Sequence, residues 1–381
     1  MKLNMIAKKN IAHESGPLHV SGEAVYIDDM NINNQLLIGR VFYSKVAHAK
    51  IKSYDINDAL KVKGVHAILN YKDIPGDNQM GPVIHDEVVM AEDKVIFIGQ
   101  AIFIIAAETE AQAIEAERRI KIEYEELEPI LSIETAIEKG WTVQPQRRIT
   151  RGNIEEGFKA SEFVLEDSLK VGGQEQWYLE TQVALAVPGE EKEMLCYSST
   201  QNPSETQALI AEVLGLNNMD VEVQIRRMGG AFGGKETQGN HVAIWASLLA
   251  QRTKRPVKIR LFRDDDQKMT GKRHRYLNKF KVGYNSDGRI QALWTELNSD
   301  AGSATDLSMA VLERAMMHAE NAYYIPDIDI IGNAWFTNLP SNTAFRGFGG
   351  PQGMASMEQI IDIIARKLNM DSAEVRKRNL Y

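Results

Sequence analysis

The chain has 381 residues, 44% apolar and 25% charged, which is the make-up of a soluble globular protein of about two domains. A net charge of −8 and a pI near 5.6 argue against nucleic acid as a partner. Cys196 is the only cysteine, which excludes an internal disulfide, fits a reducing, cytoplasmic compartment, and leaves no thiolates for an iron–sulfur cluster. The eight histidines show no zinc-site spacing, so any metal has to arrive inside a cofactor.

The first fifteen residues carry lysines but no apolar core, so they are not read as a secretory signal. Residues 1–130 read as a small α+β unit with strands at 36–42, 51–56, 65–69, 95–98 and 101–107. The longest apolar run, 95–107, is broken by Gly99-Gln100 and is too short to span a membrane, so no membrane contact is expected. Thr109 is placed to cap a helix over 110–119. The acidic run from Glu123 to Pro129 ends the unit. A short helix fits 132–140, and 141–149, with Pro145 and Arg147-Arg148, reads as a linker. The expected division is therefore 1–130, a linker at 131–150, and a second domain over 151–381.

In the second domain strands are expected at 163–171, 183–187 and 194–199. Asn202-Pro203-Ser204-Glu205 is a helix start, with Asn as cap, Pro in the first turn and Glu three residues on; that helix ends near Gly215. Val221, Val223 and Ile225 mark a strand, and Val242, Trp245 and Leu249 a helix. Further strands fit 257–261, 280–284, 290–297 and 328–336, with helices over 306–319, 351–368 and from Asp371 to Asn379. The basic cluster 268–281 follows Asp264-Asp265-Asp266 and reads as a solvated face, with contact to a partner or a phosphate as the other reading.

Between the strand at 221–225 and its following helix lies Arg226-Arg227-Met228-Gly229-Gly230-Ala231-Phe232-Gly233-Gly234-Lys235-Glu236. A strand, a glycine-rich turn and a helix start can aim several backbone N–H groups at an oxygen-rich or anionic ligand. Seven positions fit a phosphate loop, but the eighth, which should be Ser or Thr, is Glu236, whose charge would repel a triphosphate. The other reading is a tight turn with an acid at a helix start. Arg314 is three residues from Val311 and four from His318, which puts it on the apolar stripe of its helix and requires a carboxylate or polar ligand as its partner. Either an internal salt bridge or a substrate clamp opposite Glu236 satisfies that. Phe345-Arg346-Gly347-Phe348-Gly349-Gly350 sets aromatic rings among glycines, where a ring can stack on a flat ligand or plug the core. Gln201, where a strand meets a helix cap, has an amide that could donate to an oxygen, with local capping as its plainer role.

These residues together resemble the molybdopterin-binding subunit of the xanthine dehydrogenase and aldehyde oxidase group. The matching segments are Gly81 to Glu87, Gly172-Gly173-Gln174-Glu175 with Tyr178-Leu179-Glu180-Thr181, Ser199 to Asn202, Arg227 to Glu236, and Asn338 to Gly353. The first 130 residues resemble the family's a/b hammerhead domain, and the rest the first part of its mixed α/β molybdenum-cofactor-binding domain. The expected fold class is α+β.

The resemblance implies a hydroxylase that takes oxygen from water and passes two electrons to iron–sulfur and FAD partner subunits. It implies a molybdenum–molybdopterin cofactor, with the cytosine-dinucleotide form left open. Gln201, Gly230, Phe232 and Gly233 would line the cofactor, with Gln201 and Phe232 near the metal's oxygen ligands and Arg346 in support. Glu236, Arg314 and Phe348 would hold the substrate. A carboxylate and a guanidinium match the polar edge of a purine better than an aldehyde. An aldehyde or other N-heterocycle oxidoreductase stays open, as does a non-catalytic scaffold. The family's chain continues past the point equivalent to Tyr381, and its general-base glutamate lies there. No catalytic residue is therefore assigned here, and the chain alone is expected to show little or no turnover.

Overall fold

The computed structural model describes residues 12–32 and 35–381. Most of the first fifteen residues, expected not to be a secretory leader, lie outside it. Strands β1 (Leu37–Tyr43), β2 (Ala49–Asp55), β3 (Val65–Leu69), β4 (Lys94–Val95), β5 (Ala101–Ala107) and β6 (Lys121–Glu126) come first. They are followed by β7 (Arg147–Arg151), β8 (Phe163–Val171), β9 (Val183–Pro188), β10 (Met194–Ser198) and β11 (Val221–Gln224). The last are β12 (Val257–Arg260), β13 (Tyr276–Tyr284), β14 (Ile290–Gly302) and β15 (Asp327–Phe336).

Among the described residues three sheets form: a seven-stranded sheet in the order β11-β10-β9-β12-β1-β5-β3, a five-stranded sheet β7-β15-β14-β13-β8, and a three-stranded sheet β4-β2-β6. The seven-stranded sheet draws β1, β3 and β5 from one side of the expected domain division and β9 to β12 from the other. The seam is the parallel pairing of β1 with β12, in register Leu37↔Val257 and Gly39↔Ile259. Gly39 permits it, because a Cβ there would lie 2.4 Å from Ile259 Cγ1. Strand β5 is buried at every position, which is why its sequence is a continuous apolar run rather than an alternating one. Ile104 and Ala106 face the large core with helix Gly239–Thr253, whereas Phe103 and Ile105 face a smaller core above the three-stranded sheet.

The mixed α+β architecture agrees with the expected fold class, but several local expectations change. Of the expected strand at 95–98 only Val95 pairs, in the two-residue strand Lys94–Val95. The acidic run expected to end the first unit is largely β6, held by its antiparallel pairing with β2. The linker at 141–149 is corrected in its second half, because Arg147–Arg151 is an edge strand paired with β15. Its arginines project from that edge onto acids, Arg147 onto Glu313, Arg148 onto Asp329 and Arg151 onto Glu320. Helices Ser308–Met317 and Gly350–Leu368 contribute Leu312, Met316, Met357, Ile361 and Ile364 to the core of the five-stranded sheet. No described helix is long and apolar enough to cross a membrane.

Candidate functional site: two joined glycine-rich loops

The first glycine-rich loop runs from β11 to helix Gly239–Thr253, and the second from β15 to helix Gly350–Leu368. The N–H of Arg346 donates to the carbonyl of Phe232 at 2.9 Å. Gly233, at φ +98°, presses against the second loop so closely that a Cβ would sit 2.9 Å from the carbonyl carbon and oxygen of Ala344. Phe232 and Phe348 both occupy the left-handed region, at φ +55° and +49°. For a phenylalanine that conformation is strained and is held by its surroundings. The ring of Phe232 is 49% exposed, and Trp177 and Leu179 also stand out from the surface. A cleft of about 650 Å³ lined by Leu179, Gly229, Phe262 and Arg263 adjoins the loop.

Gln201 is oriented by the first loop. Its Oε1 accepts from the N–H groups of Gly233 (2.9 Å) and Lys235 (3.4 Å), and its own N–H donates to the Lys235 carbonyl. With the oxygen so occupied, the exposed amide NH₂ points away from the loop as an unengaged donor. The other loop amides divide into two sets. Those of Gly229, Gly234 and Glu236 donate to Glu180, Ala231 and Gly233. Those of Gly230, Ala231 and Phe232 donate to no described protein group.

Lys235 removes the phosphate-loop reading on structural grounds. It is 0% exposed, and its Nζ donates to Glu180 Oε2 at 2.9 Å and Ser199 Oγ at 2.8 Å. Burial pulls its pKa down while Glu180 pulls it back. A lysine fixed beneath its loop cannot reach a phosphate lying above it.

Asp306 ties the parts together. Its Oδ2 accepts from Thr237 Oγ1 and Gln238 Nε2, both at 3.1 Å, and Thr237 Oγ1 lies 3.0 Å from Thr343 Oγ1. Glu236, the start of the second loop and the start of helix Ser308–Met317 are thus drawn to one node. The second loop then rests on that helix, where a Cβ on Gly349 would meet the Val311 carbonyl at 2.0 Å. Phe348 is partly buried at this contact. Glu236 is half-buried, makes no side-chain hydrogen bond among the described residues, and has its carboxyl pKa raised by burial.

Arg314 does not face the core as expected. The buried stripe is Val311, Leu312, Ala315 and Met316, while Arg314 is exposed and has neither ion pair nor hydrogen bond among the described residues. The spacing to Val311 misled, because the stripe is centred between Val311 and Met316 and Arg314 falls at its far flank. The internal salt bridge is therefore absent, and the guanidinium stays available to a ligand.

The basic cluster 268–281 is also corrected, and it hides a residue that sequence reasoning missed. Arg273 is only 8% exposed and lies with its guanidinium 4.1 Å from the centre of the Phe345 ring. It donates to the Arg346 carbonyl at 2.7 Å and to Gln174 Oε1 at 3.2 Å. His274 beside it is fully buried, and its pKa is pushed down to about 3 by burial. The cluster's centre is thus a clamp on the second loop, which nothing in a run of mixed charges reveals.

With the geometry in view, comparison with known proteins defines the class. Residues 138–380 match the model of the molybdopterin cofactor-binding domain, and residues 21–128 that of the aldehyde oxidase and xanthine dehydrogenase a/b hammerhead domain. The chain belongs to the xanthine dehydrogenase and aldehyde oxidase family. It is 45% identical over 371 residues to a xanthine dehydrogenase of Dictyostelium discoideum, matching over 97% of this chain and 27% of that one. It is 43% identical over 373 residues to a xanthine dehydrogenase/oxidase of Gallus gallus, again over 97% of this chain and 27% of the relative. Among solved structures, an aldehyde oxidoreductase from Desulfovibrio gigas superposes with a TM-score of 0.89 at 28% identity, over 97% of this chain and 43% of that one. The chain spans little more than a quarter of the length of these curated relatives.

The family implies a molybdenum–molybdopterin site, and the residues present fit one. Among the described residues no cluster of three or more His, Cys, Asp or Glu side chains is placed to ligate a metal ion. What the loops offer instead are hydrogen-bond donors, the Gln201 amide and the backbone of Gly230 to Phe232, suited to oxygen atoms on a group that carries its metal with it.

Proposed function

We propose that this chain is part of a molybdenum hydroxylase that oxidises a purine of the hypoxanthine or xanthine kind, with oxygen from water and electrons leaving through iron–sulfur and FAD partners. The observation that carries the reading is the fixed orientation of Gln201, whose amide NH₂ is turned outward beside two interlocked glycine-rich loops. The cofactor, when bound, supplies two-electron redox chemistry. Gln201 and the backbone of Gly230 and Phe232 would hold its oxygen atoms, Gly233 would line it while its N–H orients Gln201, and Arg346 would support it from the second loop. The substrate ring stacks on Phe348, with Glu236 and Arg314 gripping its polar edge. Burial raises the pKa of the Glu236 carboxyl, which accepts from a ring N–H when ionised and can also donate to a ring nitrogen when protonated. Arg314, exposed and unpaired, supplies a charged donor to a carbonyl. Strong likeness to xanthine dehydrogenases over the whole chain supports a purine over an aldehyde.

The test is to tag this chain in its native host and purify whatever assembly it forms. Molybdenum in the assembly together with xanthine-dependent dye reduction is expected, with purine turnover lost in Glu236→Val. An assembly without molybdenum, or one that turns over aldehydes but no purine, overturns the reading.

A further inference from the structure

Two cavities meet inside the molecule. The first is a small chamber of about 80 Å³ lined in part by Glu87, Gln100 and His241. The second is a wider cleft of about 490 Å³, open at the surface and flanked by Trp141, Thr142 and Phe336. Asp86, Ser303 and Ala304 line both, so the two cavities adjoin at these residues. The chamber has room for several water molecules, and its wall carries the polar groups that hold them.

Glu87 is 92% buried by its 8% residual exposure, and its Oε1 accepts from Ser341 Oγ at 3.0 Å. Its other carboxyl oxygen has no protein partner among the described residues. His241, from helix Gly239–Thr253, places Nε2 3.7 Å from Oε1. That distance suits an ion pair, but burial opposes charge on both groups, pushing Glu87 up to about 8 and His241 down to about 4. The remaining charged groups that bear on Glu87 are Asp306 and Asp86, both acidic. Asp86 is held in place by the N–H and Oγ1 of Thr305, at 2.9 and 2.6 Å. Burial and the neighbouring acids both favour the protonated carboxyl, and no cation among the described residues opposes them.

We propose that the cleft and chamber form a hydrated proton conduit, through which Glu87 exchanges its proton with bulk water and which ends beside Asp306, beneath the glycine-rich loops. Asp306 lies two residues beyond Ala304 of the cavity wall and its charge bears on Glu87; its Oδ1 is buried and unpartnered, and its Oδ2 is bonded to Thr237 and Gln238, the two residues that follow Glu236. Burial pushes its pKa up to about 7, so it and Glu87 can each bind or release a proton near neutrality. Proton transfer from the Glu87 carboxyl to chamber water leaves a carboxylate and a hydronium ion that the cleft disperses. Use of the conduit to discharge protons released by hydroxylation rests on the reading above. The exchange itself is a property of this chain alone.

Infrared spectroscopy on the purified 381-residue chain tests it, by following the carbonyl stretch of protonated carboxyls after rapid mixing into D₂O. Within the protonated-carboxyl absorption at pH 6, a component that titrates out near pH 8 and is missing in Glu87→Gln is expected, beside an Asp306 component that remains in that variant and titrates out near pH 7. In Ala304→Leu, which fills the junction of the two cavities, the deuterium shift of the Glu87 component slows about tenfold or more, because exchange must then wait for local opening. Ser303→Val narrows the same junction with less added bulk and serves if the leucine variant does not fold. A component titrating near pH 8 that persists undiminished in Glu87→Gln, or exchange of that component as fast in the plugged variants as in the parent, overturns the proposal. Failure of the hydroxylase reading would show in metal content and leave these exchange rates untouched.

Discussion

Arg346 donates its backbone N–H to the carbonyl of Phe232, and that one bond makes two glycine-rich loops, more than a hundred residues apart in sequence, a single surface. Their mutual position decides whether the donors of the first loop and the ring of Phe348 in the second can address one ligand.

Gly233→Ala tests the closeness of that junction. The new Cβ meets the Ala344 carbonyl and the backbone stays at a positive φ, so a loss of about 1–3 kcal/mol is expected in urea unfolding. Gly140→Ala is the control: its φ is +69° but nothing lies within 4 Å, so only the conformational cost of about 1 kcal/mol remains. Equal losses in the two variants would show that the loops do not constrain one another.

Lys235→Met removes the cation beneath the first loop and leaves Glu180 with an uncompensated charge. A loss of about 3–5 kcal/mol is expected, larger than the pair's own net worth. Lys235→Met combined with Glu180→Gln recovers much of it, and a double-mutant cycle on denaturation midpoints measures the coupling. Additive losses would mean that the two side chains do not act as a pair.

Arg273→Lys keeps the charge but loses the flat guanidinium over Phe345 and the fork that reaches Arg346 and Gln174. The second loop should loosen, and trypsin should cut after the exposed Arg346 about tenfold faster than in the parent, as cleavage there follows the open population. Mass spectrometry of the fragment ending at Arg346 reads this directly. An unchanged cleavage rate would deny Arg273 its clamping role.

Glu87 and two histidines give opposed slopes in stability against pH. Glu87 titrates near 8 when folded and in the ordinary carboxylate range when unfolded, so between those limits the native state binds the extra proton. Its contribution is complete in acid and is lost as pH rises through 8. His241 and His274 titrate near 4 and 3 when folded, so the unfolded state binds more protons below about pH 6.5 and stability falls on acidification. Glu87→Gln should therefore flatten the decline between pH 5 and 8 without altering the acid limb. Denaturation midpoints across that range provide the check.

The local elements were readable where the cause is local. Thr109 and Asn202 cap the helices they were expected to cap, because an N-cap needs only a side-chain oxygen and the next turn's amides. Both glycine-rich loops were visible for a similar reason, since Gly230, Gly233, Gly347 and Gly349 all sit at positive φ, which glycine adopts without strain. The junction of β1 with β12 was not visible, because parallel pairing across more than two hundred residues leaves only Gly39 as a trace. Strand β7 was hidden by its own arginines, which belong to an exposed edge and its ion pairs. Arg273 was hidden by charged neighbours, and Arg314 was placed inward by a spacing that fits the flank of a stripe as well as its centre. Such errors share a cause: burial of a charged residue depends on what the rest of the chain brings to it.

The seam between β1 and β12 also bears on how the molecule comes apart. A protease nick near residue 140 would sever the connecting peptide yet leave the β1–β12 hydrogen bonds, the Gly39 contact and the apolar layer behind them intact. The two pieces should travel together through gel filtration and separate only in denaturant, while the first piece expressed by itself would present β1 as a raw edge prone to self-association.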